Sequence, residues 1–195
     1  MQIEPITLVG RTVRLVPLSE AHVPGLARVG LDESIWRYMR YGDIRSEADL
    51  RGWVTELLHW QAKGSDLPFT VVLIASGQPV GCTRYLNISH DDRSVEIGGT
   101  WYGVAYQGSR VNTECKYLLL RYAFENLGCI RVHFKTDLRN ERSQRAIERL
   151  GAVREGVVRK HMVLPDGTIR SSVLYSILAE EWPQVKERLE AKMEF

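Results

Sequence analysis

The chain is short of cysteine, has no long apolar run, and carries almost no net charge. Each shortage removes a class of function. Cys82, Cys115 and Cys129 are three in number and far apart, which predicts reduced, buried thiols rather than a disulfide framework. His22, His59, His90, His133 and His161 fall in no metal-ligand spacing, and CxxC and HExxH are both missing, so no metal is expected. No apolar stretch approaches the roughly 20 residues of a membrane span. The opening MQIEPITLVGRTVRL has no basic segment followed by an apolar run, and a cytoplasmic protein away from membranes is expected. With 26 Lys+Arg against 24 Asp+Glu the formal net charge is +2. That is too near balance to indicate a nucleic-acid partner, which would need a local basic patch.

What is present describes a globular chain. Its 195 residues, 44% hydrophobic and 26% charged, suit one domain over 1–195 with a real core. Alternation at 13–16 predicts a strand, and Ser19 before Glu20 a helix start, with Val23, Leu26, Ala27 and Gly30 on one face. Ser46 opens a helix through Trp53, Leu57 and Trp60 to about Lys63, stopped by Gly64. Residues 69–75 and 80–86 read as a hairpin around Ser76-Gly77-Gln78-Pro79. Residues 95–102 and 130–135 read as further strands, with a helix between them that Gly128 ends. Asn140 and Gly151 bracket a short helix as cap and stop. Two strands around Pro165-Asp166-Gly167 and a polar helix after Trp182-Pro183 close the chain. The pattern is α+β: a mixed sheet with helices on its faces.

Three segments carry chemistry. In "WYGVAYQGSRVNTECKYLLLRYAFE", Val111, Cys115, Leu118, Leu119 and Tyr122 form a core-facing stripe. The turn ahead of them, 106–113, holds no acidic residue, although first helical turns favour Asp and Glu. Small Gly108 and Ser109 would let backbone N–H groups approach an anion. The residues alone leave open a solvated loop with Asn112 or Thr113 as N-cap. In "VEIGGTWYG", Gly98-Gly99 marks a bulge. Glu96 beside it is expected to gain a raised pKa as a base, or else to face solvent or pair with an Arg. In "TDLRNERSQRAIERLGA", Asn140 and Ser143 share one side of a helix start. They form a plain cap, or an amide and hydroxyl pair toward a ligand.

In this order and spacing the three segments resemble the GNAT superfamily of acetyl-CoA-dependent N-acyltransferases, and more narrowly its RimJ/RimL-type branch. "LVGRTVRLVPLSEAH" looks like that branch's opening and "RLGAVREGVVRKHMVLPDGTIRSSVLYSILAEEW" like its end, so the likeness covers almost the whole chain. It implies a single GNAT-like domain whose mixed, mostly antiparallel sheet is splayed at a central bulge, with helices on both faces.

The resemblance also implies site residues. The family's turn, Q/R-x-x-G-x-G/A, holds the coenzyme's pyrophosphate on backbone amides. Here it corresponds to Gln107, Gly108, Ser109, Arg110, Val111 and Asn112. Arg110 stands where glycine is usual and Asn112 where Gly or Ala is usual. Either Arg110 strains the turn, or its backbone stays helical and its guanidinium reaches a phosphate; the second is adopted here. The backbone of Trp101, Tyr102, Gly103 and Val104 matches the pantetheine-binding strand. Asn140 and Ser143 match the pair that contacts the coenzyme arm and thiol. Many relatives outside the branch carry a tyrosine where this chain has Ile147, which leaves Ser143 to protonate the leaving thiolate.

The resemblance implies direct acetyl transfer to an amine, with Glu96 as base, either directly or through water, and backbone N–H groups on the oxyanion. None of the cysteines lies in a recognisable nucleophile setting. Trp36, Tyr38 and Tyr41, among Arg37, Arg40 and Arg45, would cover the acceptor. That acceptor is a protein N-terminus, a small amine or an amino-sugar antibiotic, with a homodimer left open. Two alternatives stand beside the enzyme: a catalytically weak coenzyme-A sensor, and a ribosome- or RNA-associated factor suggested by "LRNERSQRAIER".

Overall fold

The computed structural model describes residue 1 and residues 3–193. The expected strands are there as β2 Val13–Pro17, β3 Leu67–Leu73, β4 Pro79–Ser89, β5 Ser94–Tyr102, β6 Arg131–Asp137, β7 Val153–Val163 and β8 Ile169–Leu178, and a short β1 Leu8–Val9 precedes them. They form one eight-stranded sheet in the order β1-β2-β3-β4-β5-β6-β8-β7. Neighbours are antiparallel except β5 and β6. The closing hairpin folds back so that β8, not β7, lies against β6.

The helices are α1 Val23–Gly30, α2 Glu33–Trp36, α3 Glu47–Ala62, α4 Arg110–Arg121, α5 Glu141–Leu150 and α6 Trp182–Met193. A 3-10 turn over Glu20–His22 precedes α1, and Tyr122–Asn126 extends α4 with a π-helical turn. Ser46 caps α3 through Asp49 N–H, with the Asp49 side chain returning the bond, a reciprocal N-terminal box. Lys63 caps its far end and Gly64 follows at φ +75°.

The sheet is covered on both sides. On one, Val111, Cys115, Leu118 and Leu119 of α4 pack with Leu15, Phe69, Tyr85 and Phe134. On the other, α1, α2 and α3 enclose Trp36, Trp53 and Trp101 with Cys82. The three indoles meet at centroid distances of 5.3–6.1 Å, in the range of favourable aromatic pairs.

The sheet opens at its centre. The β5–β6 ladder holds only Ser94↔Arg131, Val95↔Val132 and Glu96↔His133, while both strands run on. On the other edge of β5, Cys82↔Trp101 is followed by Arg84↔Gly98, so β5 carries one extra residue there. Gly99 takes it up at φ +56°, a left-handed conformation that favours glycine in such a bulge. The split leaves the β6-facing backbone of residues 97–102 without a strand partner.

Candidate active site

One wall of the split is the passage from β5 to α4. Val104–Tyr106 forms a 3-10 turn, Gly108 adopts φ +72°, and Ser109 caps α4. Ser109 Oγ accepts from Val111 N–H at 3.3 Å and donates to the Tyr106 carbonyl at 2.6 Å. The cap is therefore Ser109, three or four residues earlier than the Asn112 or Thr113 expected for a solvated loop. The first turn holds no acidic residue. Arg110 begins the helix without left-handed backbone. Gln107 donates to the Tyr102 carbonyl at 3.1 Å and accepts from Arg142 at 2.6 Å. Its side chain thus ties the turn to the strand end and to α5. Asn112 accepts from the Tyr102 hydroxyl at 3.2 Å.

The opposite wall is the start of α5. Asn140 Oδ1 accepts from Ser143 N–H at 3.0 Å, and Gly151 ends the helix at φ +100°. Between the walls lies a cleft of about 960 Å³. Among the expected site residues it is lined by Tyr38, Tyr41, Glu96, Trp101, Tyr102, Gln107, Gly108, Ser109, Asn112, Asn140 and Ser143.

The lining does not include Trp36, Gly103, Val104, Arg110 or Val111. Trp36 is only 3% exposed and its indole N–H donates to the Gly30 carbonyl at 2.8 Å. It is a core residue, because the short α2 turns it onto Trp53 and Trp101, and so not an acceptor-covering one. Gly103 is buried beside Val29. Val104 points to solvent, Val111 joins the core under α4, and Arg110 is exposed at the rim.

Glu96 sits on the last rung before the split and is 3% exposed. Its Oε2 accepts from Asn87 at 2.8 Å and from Lys135 at 3.3 Å, and lies 3.5 Å from His133 Nε2. Burial alone would raise its pKa. The His133 hydrogen bond, the Lys135 charge and the Asn87 amide outweigh burial and hold the carboxyl below its ordinary value. The expected raised pKa, the solvent-facing side chain and the Arg partner are all corrected. The physical reason is β6: His133 is the register partner, and Lys135, two residues on, shares its face.

Other lining residues were not foreseen. Arg84, 5% exposed, bridges to Asp66 at 2.9 Å and donates to the Tyr41 hydroxyl. Burial raises the Tyr41 pKa despite Arg84, so the phenol stays neutral. Arg139 pairs with Asp137 at 2.7 Å and lies 5.8 Å from the Tyr38 ring centroid. Arg170 donates to the Tyr38 carbonyl at 3.1 Å. Lys116, 6% exposed, reaches Thr100 Oγ1 at 2.6 Å and Thr83 Oγ1 at 3.3 Å. The one cue to it in the sequence is a charged residue inside the otherwise apolar Cys115–Leu120 stretch. Among the described residues no group of three or more His, Cys, Asp or Glu could hold a metal, and no helix is long and apolar enough to cross a membrane.

Known proteins are similar to this chain in sequence and fold. The acetyltransferase (GNAT) domain family matches residues 12–153. YdaF of Bacillus subtilis (strain 168), provisionally named a ribosomal N-acetyltransferase, is 27% identical over 172 residues, 88% of this chain and 92% of YdaF. A crystal structure from T. thermophilus, provisionally named an acetyltransferase, is 42% identical with a TM-score of 0.90 over 100% of both chains. Mycobacterium smegmatis RimJ, solved in complex with CoA-disulfide, is 25% identical with a TM-score of 0.79, covering 93% of this chain and 89% of RimJ. By the extent of these matches and by its split sheet, the chain belongs to the acetyltransferase (GNAT) family, on the side of the RimJ/RimL-type branch.

Proposed function

We propose that this acyltransferase moves the acetyl group of acetyl-CoA directly onto a primary amine, either a protein N-terminus or a small amine. One observation carries the proposal: an ionised Glu96 stands where β5 and β6 part, in the same cleft as the acid-free start of α4.

The cleft fits the coenzyme. A Cβ at Gly108 would meet only Arg142 Nη2, at 3.8 Å, so an anion has room close to the backbone. First-turn N–H groups of a helix point outward and favour a phosphate, and Arg142 adds a cation. The turn 107–112 would hold the pyrophosphate, and the open backbone edge leading into 101–104 would hydrogen-bond an amide-bearing arm as a strand does. Asn140 and Ser143 would meet the arm and the sulfur. Bound acetyl-CoA supplies an acyl group activated as a thioester.

The residues of the chain then divide the work. Ionised Glu96 favours an ammonium nearby and takes its proton through water. Because its pKa is low, the proton passes on to solvent instead of staying on the carboxyl. N–H groups of the split strand stabilise the oxyanion, and the Ser143 hydroxyl protonates the departing sulfur. Tyr38 and Tyr41 line the acceptor side. A cysteine nucleophile is disfavoured, because burial pushes Cys115 up to about 12 and Cys129 up to about 11 and only a thiolate attacks. The name of YdaF puts ribosomal proteins first among acceptors to try.

The test combines native mass spectrometry with acetyl-CoA and a thiol-release screen over small amines, amino sugars, peptides and ribosomal proteins. One bound coenzyme per chain and amine-dependent thiol release are expected. Coenzyme binding without release for any amine would leave a sensor, and no binding at millimolar acetyl-CoA would end the proposal.

A further inference from the structure

Lys116 lies under the bulge of β5, six residues after the start of α4 at Arg110, and lines the cleft. Its ammonium bonds to the hydroxyls of Thr83 and Thr100, which also bond to each other at 2.8 Å. An ammonium carries three N–H groups; two are directed at these hydroxyls. Among the described residues no carboxylate forms an ion pair with it.

The described titratable groups around it do not supply a counter-charge. Glu114, on the same helix, turns its carboxylate to the backbone N–H groups of Arg11 and Thr12. Cys115 beside it and Tyr102 on β5 are buried, and burial raises both pKa values, so both stay neutral. On α6, Glu190 accepts from the Tyr117 hydroxyl at 2.5 Å and Lys192 donates to the Arg149 carbonyl at 2.8 Å.

Burying an ammonium without an anion is costly, and an apolar side chain of similar volume folds as well or better at such a position. The threonine hydroxyls bond to one another, and Thr100 can donate to the Gly98 carbonyl at 3.4 Å, so neither needs the ammonium. A purely structural part is therefore a poor reason for a lysine here, and an anion that arrives with the substrate is a good one. In the proposed transfer, negative charge develops on the carbonyl oxygen and then on sulfur. Backbone N–H groups of the split strand face the first, whereas the second has only the neutral Ser143 hydroxyl.

We propose that Lys116 sets a buried positive charge beside the coenzyme's sulfur and stabilises the thiolate as the carbon–sulfur bond breaks. This rests on the acetyl-CoA reading of the cleft.

The experiment titrates CoA and desulfo-CoA by calorimetry against the natural chain, Lys116→Met and Lys116→Arg over a range of pH. Burial lowers the Lys116 pKa to about 8, and an alkyl thiol ionises at or above the roughly 8.5 of cysteine, so an ammonium–thiolate pair gains most at mildly alkaline pH. There the natural chain should bind CoA about tenfold more tightly than desulfo-CoA, the scale of one charge-assisted hydrogen bond. Lys116→Met should lose that preference and Lys116→Arg keep part of it, with desulfo-CoA bound alike by all three. A sulfur preference that survives in Lys116→Met, or is missing from the natural chain, overturns the role. Weaker desulfo-CoA binding by Lys116→Met would overturn it too, reassigning the lysine to support of the bulge. If the natural chain binds neither ligand, the coenzyme reading itself falls, and this inference with it.

Discussion

Glu96 faces His133 across the last rung of the parallel β5–β6 ladder, with the carboxylate 3.5 Å from the imidazole Nε2. Beyond that rung the strands separate, so the carboxylate stands at the apex of the cleft, held by partners from the far strand. Glu96→Gln should lower turnover by about 100-fold near neutral pH, with coenzyme affinity little changed. The deficit should narrow as pH rises, because the amine then arrives already neutral. A loss that stays constant with pH would remove the base role. The lowered pKa also has a stability consequence: the contribution of Glu96 is present above its ordinary 4.5 and disappears as pH falls through the lowered value. Natural chain and variant should therefore differ in thermal melting at neutral pH and converge in acid.

Ser143→Ala should slow acetyl transfer by about 100-fold and leave the melting temperature nearly unchanged. The Asn140 cap uses the Ser143 backbone N–H, not its hydroxyl. Full activity with a verified acceptor would place the proton donor elsewhere.

Arg110 lies at the first position of α4 with ordinary helical backbone, so it does not strain the turn. The left-handed residue is Gly108. Arg110→Gly should weaken acetyl-CoA binding by about 1–2 kcal/mol, as for a hydrogen bond to a charged group, and reduce its salt dependence. Tighter binding by the variant in isothermal titration would show the guanidinium obstructing the site.

Gly99→Ala places a Cβ 2.7 Å from Arg84 Nε at φ +56°. Destabilisation of about 1–3 kcal/mol is expected from the left-handed backbone, read by chemical denaturation. Coenzyme binding should fall as well, because the bulge holds the sheet open. An unchanged denaturation midpoint would show that the bulge tolerates a side chain.

Trp36→Ala should cost about 3–5 kcal/mol of stability, as for other buried aromatics. Tyr41→Phe should fold normally and raise the acceptor KM. The reverse pattern would return Trp36 to the acceptor wall.

The helix around Asn140 was legible residue by residue: its cap, its start at Glu141 and its stop at Gly151 all lie within a dozen positions. The α4 stripe and the Gly98-Gly99 interruption were legible for the same reason. The capping of α4 by Ser109 was not, because Ser, Asn and Thr all stand within that turn and each is a competent cap. Short α2 was missed as well, since a four-residue helix has too little periodicity to read.

The amino-acid sequence by itself determined most of the stretches that become strands and helices, where most of them stop, and that three thiols would be buried. Those outcomes follow from propensity, caps and apolar period, which act over a few neighbouring residues. Only the tertiary structure decided that β8 slips between β6 and β7, that Arg142 reaches Gln107 across 35 positions, and that Lys116 meets two threonines and, among the described residues, no carboxylate. It also decided the direction of the Glu96 pKa. Burial and charge compete there, and the winner depends on which groups a distant strand brings within a few ångströms.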